Sequence, residues 1–211
     1  MAEKKKLFIH GGSSLISKYL IKRLCLEFNE IHIFCRDIKK TKSIIEFEDF
    51  KDLQFYFYEN ELENLDQTLN DIDKLPNDLS GILWVSGYTG NPKLEFDDLK
   101  LAKKNIDVNF VNPIIAITQL SKKIIKNKNN FICAISSVAG LRGRKKRLFY
   151  SASKGGLINF LSGLRQKFQD EIKVITVIPG YISTNSFSEK SPKFLISSPE
   201  KASEIIFNAI K

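Results

Sequence analysis

Short apolar segments alternate with helix-like segments along most of the chain, and this alternation constrains the fold more than any other feature. The apolar segments have the length of buried strands, and between them apolar side chains recur at helical spacing. The predicted strands are Leu7–His10, Ile31–Cys35, Leu53–Tyr58, Gly81–Val85, Phe131–Ile135 and Ile172–Ile178. The predicted helices are Ser14–Phe28, Lys40–Asp49, 61–74, Phe96–Lys126, Phe149–Phe168 and Pro199–Ile210.

Mostly apolar strands that are joined by helices predict an α/β fold, a doubly wound parallel sheet with helices on both faces. The 211 residues suffice for one domain with a substantial core, and no linker or repeat interrupts them. We therefore expect a single domain, 1–211. In such sheets ligands bind beyond the carboxyl ends of the strands, which is where we look for a site.

Composition excludes several classes of protein. No apolar run is long enough to span a bilayer, and the N-terminus lacks the cleavage site of a signal peptide, so we expect no membrane partner. The three cysteines and two histidines have no zinc-like spacing, which predicts no metal site and a reduced, cytoplasmic setting.

The formal charge of +9 has two interpretations, solvated lysines or attraction to acidic ligands and partners. A nucleic-acid-binding module is suggested by charge alone. No zinc finger or aromatic-and-basic platform accompanies the charge, so we expect no nucleic-acid partner.

Tyr150 and Lys154 lie four residues apart in a predicted helix, which puts both polar groups on one face, one turn apart. An ammonium beside a phenol favours the phenolate and is expected to lower the tyrosine pKa. Such a phenol can give or take a proton at neutral pH. A solvated surface pair is the alternative interpretation.

Two strand ends carry candidate dinucleotide contacts. Gly11, Gly12, Ser13 and Ser14 lie between the first strand and the first helix, where backbone N–H groups attract a pyrophosphate. A purely structural glycine turn with a serine cap would look alike. Arg36 ends the second strand and favours the 2′-phosphate of NADP(H), whereas the adjacent Asp37 would favour NAD(H), or both side chains are simply exposed.

Taken in order, the motifs resemble the short-chain dehydrogenase/reductase (SDR) family across nearly all of the chain. Those motifs are Gly11-Gly-Ser-Ser14, Ser86-Gly87, Val108-Asn-Phe110, Ile135-Ser-Ser137, Tyr150-x-x-x-Lys154 and Ile178-Pro-Gly180-x-Ile182-x-Thr184. The resemblance implies a Rossmann-like fold and a catalytic set of Asn109, Ser137, Tyr150 and Lys154. It also implies cofactor contacts from Gly11, Ser13, Ser14, Leu15, Ile16, Arg36, Ser86, Gly87, Tyr150, Lys154, Pro179, Gly180, Ile182 and Thr184.

By this resemblance Tyr150 is the general acid that protonates a substrate carbonyl, and Ser137 polarises the same oxygen. Lys154 holds the nicotinamide ribose, and Asn109 holds a water of the proton relay. Pro113 supports that relay, since it has no N–H to donate to the carbonyl of Asn109. A plain proline kink is the alternative.

The chain departs from the family pattern at the glycine turn, where His10, Leu15 and Ser17 replace a threonine and two glycines. We therefore expect crowding near the pyrophosphate and a lower cofactor affinity. The family's usual seventh strand is also not found after Pro199–Ile210, so we expect a dimer through helices 96–126 and 149–168.

A basic run, 141–147, lies between Ser137 and Tyr150. It is either a solvated loop or a docking site for an anionic substrate or carrier, such as a sugar nucleotide, a phosphate ester or an acyl-carrier thioester. The sequence thus predicts an NADP(H)-preferring oxidoreductase, with NAD(H) possible, that acts on a small-molecule ketone or secondary alcohol. The alternative is a non-catalytic dinucleotide-binding sensor or scaffold of the same fold.

Overall fold

The computed structural model of the chain describes residues 5–45, 50, 53–183 and 196–211. Six parallel strands form one sheet in the order β3-β2-β1-β4-β5-β6, which confirms the predicted α/β fold with a doubly wound sheet. The strands are β1 Lys6–His10, β2 Glu30–Cys35, β3 Gln54–Glu59, β4 Gly81–Trp84, β5 Phe131–Ile135 and β6 Lys173–Val177. Within the described ranges, no seventh strand joins this sheet.

Helices connect the strands, and several of them begin at side chains that accept backbone N–H groups. Ser14 caps the first helix, Asp37 the second and Asp98 the fourth. The helices are α1 Leu15–Leu24, α2 Ile38–Ile44, α3 Leu65–Asp73, α4 Leu99–Ile106, α5 Asn112–Leu120, α6 Leu148–Lys167 and α7 Pro199–Ile210. None of the helices in the described part of the chain combines the length and the apolarity that crossing a bilayer requires.

Each face of the sheet has its own apolar core. One core contains Phe8, Trp84 and Leu157 and is covered by α3, α5 and α6. The other contains Ile9 and Ile33 and is covered by α1 and α7, which pack against each other. Burial on both faces explains why the strands are apolar throughout instead of alternating.

The long helix predicted over 96–126 is divided into three parts and ends at Leu120. Between α4 and α5 the backbone forms a π-helical turn, Asp107–Val111, that ends just before Pro113. Proline cannot donate the N–H that a regular helix needs at this position. A π-turn within an α-helix is a known accompaniment of functional sites, and Asn109 lies at its centre.

Other differences from the predicted elements are local. Part of the helix predicted over Lys40–Asp49 lies outside the described residues, and α2 begins at Ile38, earlier than predicted. A short two-stranded sheet, β7 Tyr181–Ile182 with β8 Ile196–Ser197, was not expected from the sequence. Two-residue strands carry too little periodicity to be recognised.

Candidate functional site

The turn after β1 lies at the switch point of the sheet, where β1 is flanked by β2 on one side and β4 on the other. Gly11 has a φ of 97°, which disfavours residues with a side chain. A Cβ atom at this position would lie 2.7 Å from Ser86 Oγ. The turn therefore requires glycine both for its backbone conformation and for its close approach to the end of β4.

The helix that follows the turn presents its N-terminus to the cleft. Ser14 Oγ accepts the N–H of Ile16, while Ser17 is fully buried and donates to the Gly11 carbonyl at 2.9 Å. Ser17 therefore stabilises the turn from its buried side. It does not line the cleft, so the crowding that was expected from Ser17 is not observed. Leu15 lines the cleft, whereas the side chain of Ile16 packs into the core.

His10 forms a buried contact that the sequence analysis did not identify. Its Nδ1 hydrogen-bonds with Ser86 Oγ, its Nε2 with Asn60 Oδ1 at 3.3 Å, and its ring stacks on Trp84 with centroids 4.2 Å apart. Asn60 in turn donates to Asp71 at 3.1 Å. Burial lowers the pKa of His10 to about 4, against the opposing effect of its hydrogen bond with Asn60, so the ring is neutral at pH 7.

The end of β2 carries the groups that distinguish the two dinucleotides. The Asp37 carboxylate accepts the backbone N–H of Lys40 at 2.9 Å and so serves as the cap of α2. Arg36 and Lys40 line the cleft and are exposed. The Asp37 carboxylate is thus engaged as the cap of α2, whereas the side chains of Arg36 and Lys40 are available to a ligand in the cleft.

These features share one cleft of about 340 Å³ at the carboxyl edge of the sheet. Of the residues inferred to contact a cofactor, the cleft brings together Gly11, Ser13, Ser14, Leu15, Arg36, Ser86 and Gly87. Its volume is at the lower end of the range of small-molecule sites.

Lys154 lies beside Gly87, one of the residues that line this cleft, and is almost fully buried. Its Nζ donates to the Ile135 carbonyl at 3.2 Å. The amine is 5.9 Å from the centroid of the Tyr150 ring. Burial lowers the pKa of Lys154 to about 8. Within the described part of the chain, the Ile135 carbonyl is its single hydrogen-bond acceptor, although an ammonium carries three donors.

Tyr150 lies in the first turn of α6, and its hydroxyl group is within hydrogen-bond reach of Ser137. Burial raises the pKa of Tyr150, while a hydrogen bond with Ser137 and the charge of Arg147 oppose that increase. The expectation of a lowered Tyr150 pKa is therefore wrong, because burial dominates, and the nearby cation that opposes the increase is Arg147, not Lys154. The guanidinium carbon of Arg147 is 5.7 Å from the Tyr150 ring centroid.

Asn109 is fully buried on the π-turn, and its side chain is held from three directions. Nδ2 donates to the Tyr88 carbonyl at 2.7 Å and to the Asn105 side-chain oxygen at 2.8 Å, and Oδ1 accepts the Tyr88 N–H at 2.9 Å. Gly87 lies between Asn109 and Lys154. A Cβ atom on Gly87 would be 3.4 Å from Asn109 Oδ1 and 3.3 Å from Lys154 Nζ.

The remaining candidates lie elsewhere. Pro179, Gly180 and Ile182 line an apolar groove between the end of β6 and α7, separate from the main cleft. The Pro179 carbonyl accepts the Val138 N–H at 3.0 Å, which links the end of β6 to the segment that follows Ser137. Thr184 lies outside the described residues. Among the residues that the structure describes, no group of His, Cys, Asp and Glu side chains suits a metal ion.

Comparison with known proteins identifies a single family. The family model for short chain dehydrogenases matches residues 5–194. An uncharacterized oxidoreductase of Saccharomyces cerevisiae is 27% identical over 190 residues, which cover 85% of this chain and 60% of that protein. A 3-oxoacyl-[acyl-carrier-protein] reductase of Buchnera aphidicola is 30% identical over 175 residues, with 82% and 60% covered. The chain spans about 60% of the length of these curated relatives.

Solved structures share the fold at lower identity. A short chain dehydrogenase from Burkholderia cenocepacia, crystallised with NADP, has a TM-score of 0.84 at 16% identity, with 98% of this chain and 90% of that one covered. The structure of ElxO with NADP bound has a TM-score of 0.81 at 21% identity, with 99% and 92% covered.

Proposed function

Because the chain belongs to the short chain dehydrogenase family, we propose that it is an NADP(H)-preferring oxidoreductase acting on a ketone or secondary alcohol. The observation that carries the proposal is a cluster of four side chains, Ser137, Tyr150, Lys154 and Asn109, next to Gly87. Gly87 lines the same cleft as the glycine turn at the N-terminus of α1. A single domain over 1–211 would contain the whole arrangement.

The residues of the cleft fit a dinucleotide. The N-terminus of α1 and the Gly11 turn suit a pyrophosphate, and Arg36 with Lys40 suits a 2′-phosphate better than a free hydroxyl. Lys154 has donors to spare for ribose hydroxyls. The solved neighbours that hold NADP or NADPH support the same choice. When bound, the nicotinamide supplies or accepts the hydride.

The residues of the chain supply the proton. In the reductive direction Tyr150 O–H donates its proton to the substrate carbonyl oxygen, and Ser137 donates a hydrogen bond to the same oxygen. The raised pKa of Tyr150 keeps the phenol protonated at neutral pH, which suits an acid. The Lys154 amine lies 5.9 Å from the centroid of the Tyr150 ring, and Asn109 lies beside Lys154 next to Gly87, which supports a role for both residues in replacing that proton.

The test is turnover by the wild-type protein. Oxidation of NADPH is followed at 340 nm with a panel of ketones, 3-oxoacyl thioesters and keto-sugars, and NADH is run in parallel. We expect consumption of NADPH that depends on one substrate class and is slower with NADH. Tight NADPH binding with no turnover on any member would overturn the enzyme proposal in favour of a sensor or scaffold.

A finer proposal concerns the substrate. Arg142, Arg144, Lys145 and Lys146 are exposed beside the site, and Arg147 donates to the Thr89 carbonyl at 3.3 Å near Tyr150. This charge suits an anionic substrate or carrier, in agreement with the names of the acyl-carrier-protein and acetoacetyl-CoA reductases among the relatives. Replacing Arg144, Lys145 and Lys146 by serine should raise KM for the true substrate without changing its kcat. An unchanged KM would remove the idea. The triple variant Lys39→Ser, Lys100→Ser and Lys167→Ser removes the same number of exposed positive charges away from this loop and is the matched control.

We also propose a homodimer through α4–α5 and α6, in a cytoplasmic setting that keeps Cys25, Cys35 and Cys133 as free thiols. Light scattering after size-exclusion chromatography checks the dimer. A stable tetramer or a monomer would contradict it.

A further inference from the structure

A buried carboxyl group lies behind the proposed relay residue, in a part of the molecule to which neither the sequence motifs nor the proposed function assigns a role. Glu95 follows the loop after β4 and is only 2% exposed. Its Oε1 accepts Asn105 Nδ2 at 2.8 Å, and Asn105 is fully buried. Burying a carboxyl group is costly, so its retention here calls for a specific role.

The hydrogen bonds run in one direction from Glu95 to Asn109. Glu95 accepts this hydrogen bond, so the NH₂ group of Asn105 is directed towards Glu95. The Asn105 Oδ1 atom then faces Asn109 and accepts its Nδ2 at 2.8 Å. This leaves Asn109 Oδ1 to accept the Tyr88 N–H at 2.9 Å. The Asn105 amide thus has its nitrogen directed at Glu95 and its oxygen at Asn109. The Asn109 amide receives this contact together with hydrogen bonds to the backbone of Tyr88 and to the Asn105 carbonyl at 3.0 Å.

The loop after β4 is shaped to accommodate this arrangement. Gly90 has a φ of 67°, and a Cβ atom there would lie 1.6 Å from Glu95 Oε1 and 2.6 Å from Asn105 Nδ2. The backbone of the loop thus lies directly against the Glu95–Asn105 pair. Tyr88, two residues earlier, forms two hydrogen bonds with the Asn109 side chain.

The far end of the network reaches the site through Gly87, which separates Asn109 Oδ1 from Lys154 Nζ. We propose that Glu95 and Asn105 are positioning residues, which orient the Asn109 amide and hold the π-turn and the β4 loop in register beside Lys154. The kinetic consequence rests on the proposed oxidoreductase function, whereas the orientation of Asn109 does not.

The first experiment reads the orientation without any turnover. In ¹⁵N spectra of the full chain, the Asn109 side-chain NH₂ signal is assigned by its loss in Asn109→Ser. Glu95→Ala should shift this signal and speed its exchange with deuterium by about tenfold or more, since a member of its hydrogen-bonded network is lost. Glu95→Gln should preserve it, because the Gln Oε1 can accept from Asn105. The matched control is Asp97→Ala, which removes an exposed carboxyl group two residues away.

The second experiment reads the consequence. Glu95→Ala and Asn105→Ala should each lower kcat by about tenfold with less than a twofold change in KM for NADPH, and Glu95→Gln should restore kcat. In an Asn109→Ser background the further loss from Glu95→Ala should vanish, because Glu95 acts through Asn109.

Each outcome is decisive. An unshifted Asn109 signal in Glu95→Ala, or a loss that stays fully additive with Asn109→Ser, overturns the positioning role. A wild-type protein without turnover defeats the proposed function alone, and the spectra still decide the orientation. If Glu95→Ala unfolds, Glu95→Gln and Asn105→Ser are compared with Asp97→Ala by the same spectra.

Discussion

Different kinds of contact hold the two parts of the proposed site, which are the cluster of Ser137, Tyr150 and Lys154 and the turn at Gly11. At the proposed catalytic end, Ser137, Tyr150 and Lys154 match a recognisable pattern, and their geometry follows from helix spacing and from the end of one strand. At the proposed phosphate-binding end, the glycine motif of the family is incomplete, yet side-chain hydrogen bonds hold the turn at Gly11. His10, Ser86 and Ser17 form buried hydrogen bonds around Gly11. A motif can therefore be lost from a sequence while tertiary contacts still maintain the turn.

The largest effect is expected at the catalytic end. Tyr150→Phe removes the proposed acid and should lower kcat by about a thousandfold or more, the scale of general acid catalysis. NADPH binding should change little, since the phenol ring remains. Steady-state kinetics and NADPH fluorescence titration measure the two quantities.

Tyr56→Phe, which removes an exposed hydroxyl on β3, is the matched control. A Tyr150→Phe protein that keeps wild-type turnover would mean that the pattern at this end carries no chemistry, and the contrast between the two ends would disappear.

At the phosphate end, His10 predicts a pH dependence of stability. Its pKa is lowered to about 4 by burial, so below its ordinary value of 6.5 the unfolded chain binds a proton that the folded protein does not. The free energy of unfolding should therefore fall as the pH drops from about 6.5 to 4, by at most about 3 kcal/mol from this residue. Urea unfolding at several pH values measures the slope.

His10→Gln should flatten part of that slope. A residual slope remains because burial also lowers the pKa of His32, against the effect of its hydrogen bond with Glu30. The difference between the wild type and His10→Gln isolates His10. Identical slopes would show that the ring is not buried as neutral imidazole and that the phosphate end is not held by this contact.

Gly11→Ala tests the turn itself. The positive φ and the contact with Ser86 Oγ predict a loss of about 2 kcal/mol in the free energy of unfolding. NADPH affinity should fall together with stability. Thermal and urea unfolding, with NADPH titration, check both.

Gly143→Ala is the comparison, since an added Cβ atom there meets nothing within 4 Å. Equal stability of the two variants would mean that the turn tolerates a side chain, and that its glycine is not a requirement of the fold.

The smallest effect is expected at Arg36. Arg36→Ala should reduce the preference for NADPH over NADH by about tenfold, since one charge-assisted contact with the 2′-phosphate is lost. The ratio of kcat/KM for the two cofactors is the measurement. Lys39→Ala, an exposed cation outside the cleft, should leave that ratio unchanged. If Arg36→Ala leaves this ratio unchanged, another residue determines the preference for NADPH, and Lys40 is the next candidate.

Prediction from sequence worked where the signal was local. The six strands of the main sheet follow from apolar runs, and α7 was predicted at its observed bounds, Pro199–Ile210. The prediction from sequence was wrong where burial and side-chain direction decided the outcome. Ser17 was expected to crowd the turn but points inward to the Gly11 carbonyl, and the pKa of Tyr150 was expected to fall but rises with burial. The catalytic and cofactor-binding roles of all the candidate residues stay predictions, including those of Pro179, Gly180 and Ile182 and of Thr184, which lies outside the described residues.

The sequence by itself determined the order of strands and helices, because hydrophobic periodicity and caps act over a few residues. It also determined the spacing of Tyr150 and Lys154 on one helical face. Only the tertiary structure decided that His10 stacks on Trp84 and that Glu95 lies behind Asn109. The physical reason is that burial and hydrogen-bond partners depend on which segments the fold brings together, and segments such as His10 and Asn60 are fifty residues apart in the chain.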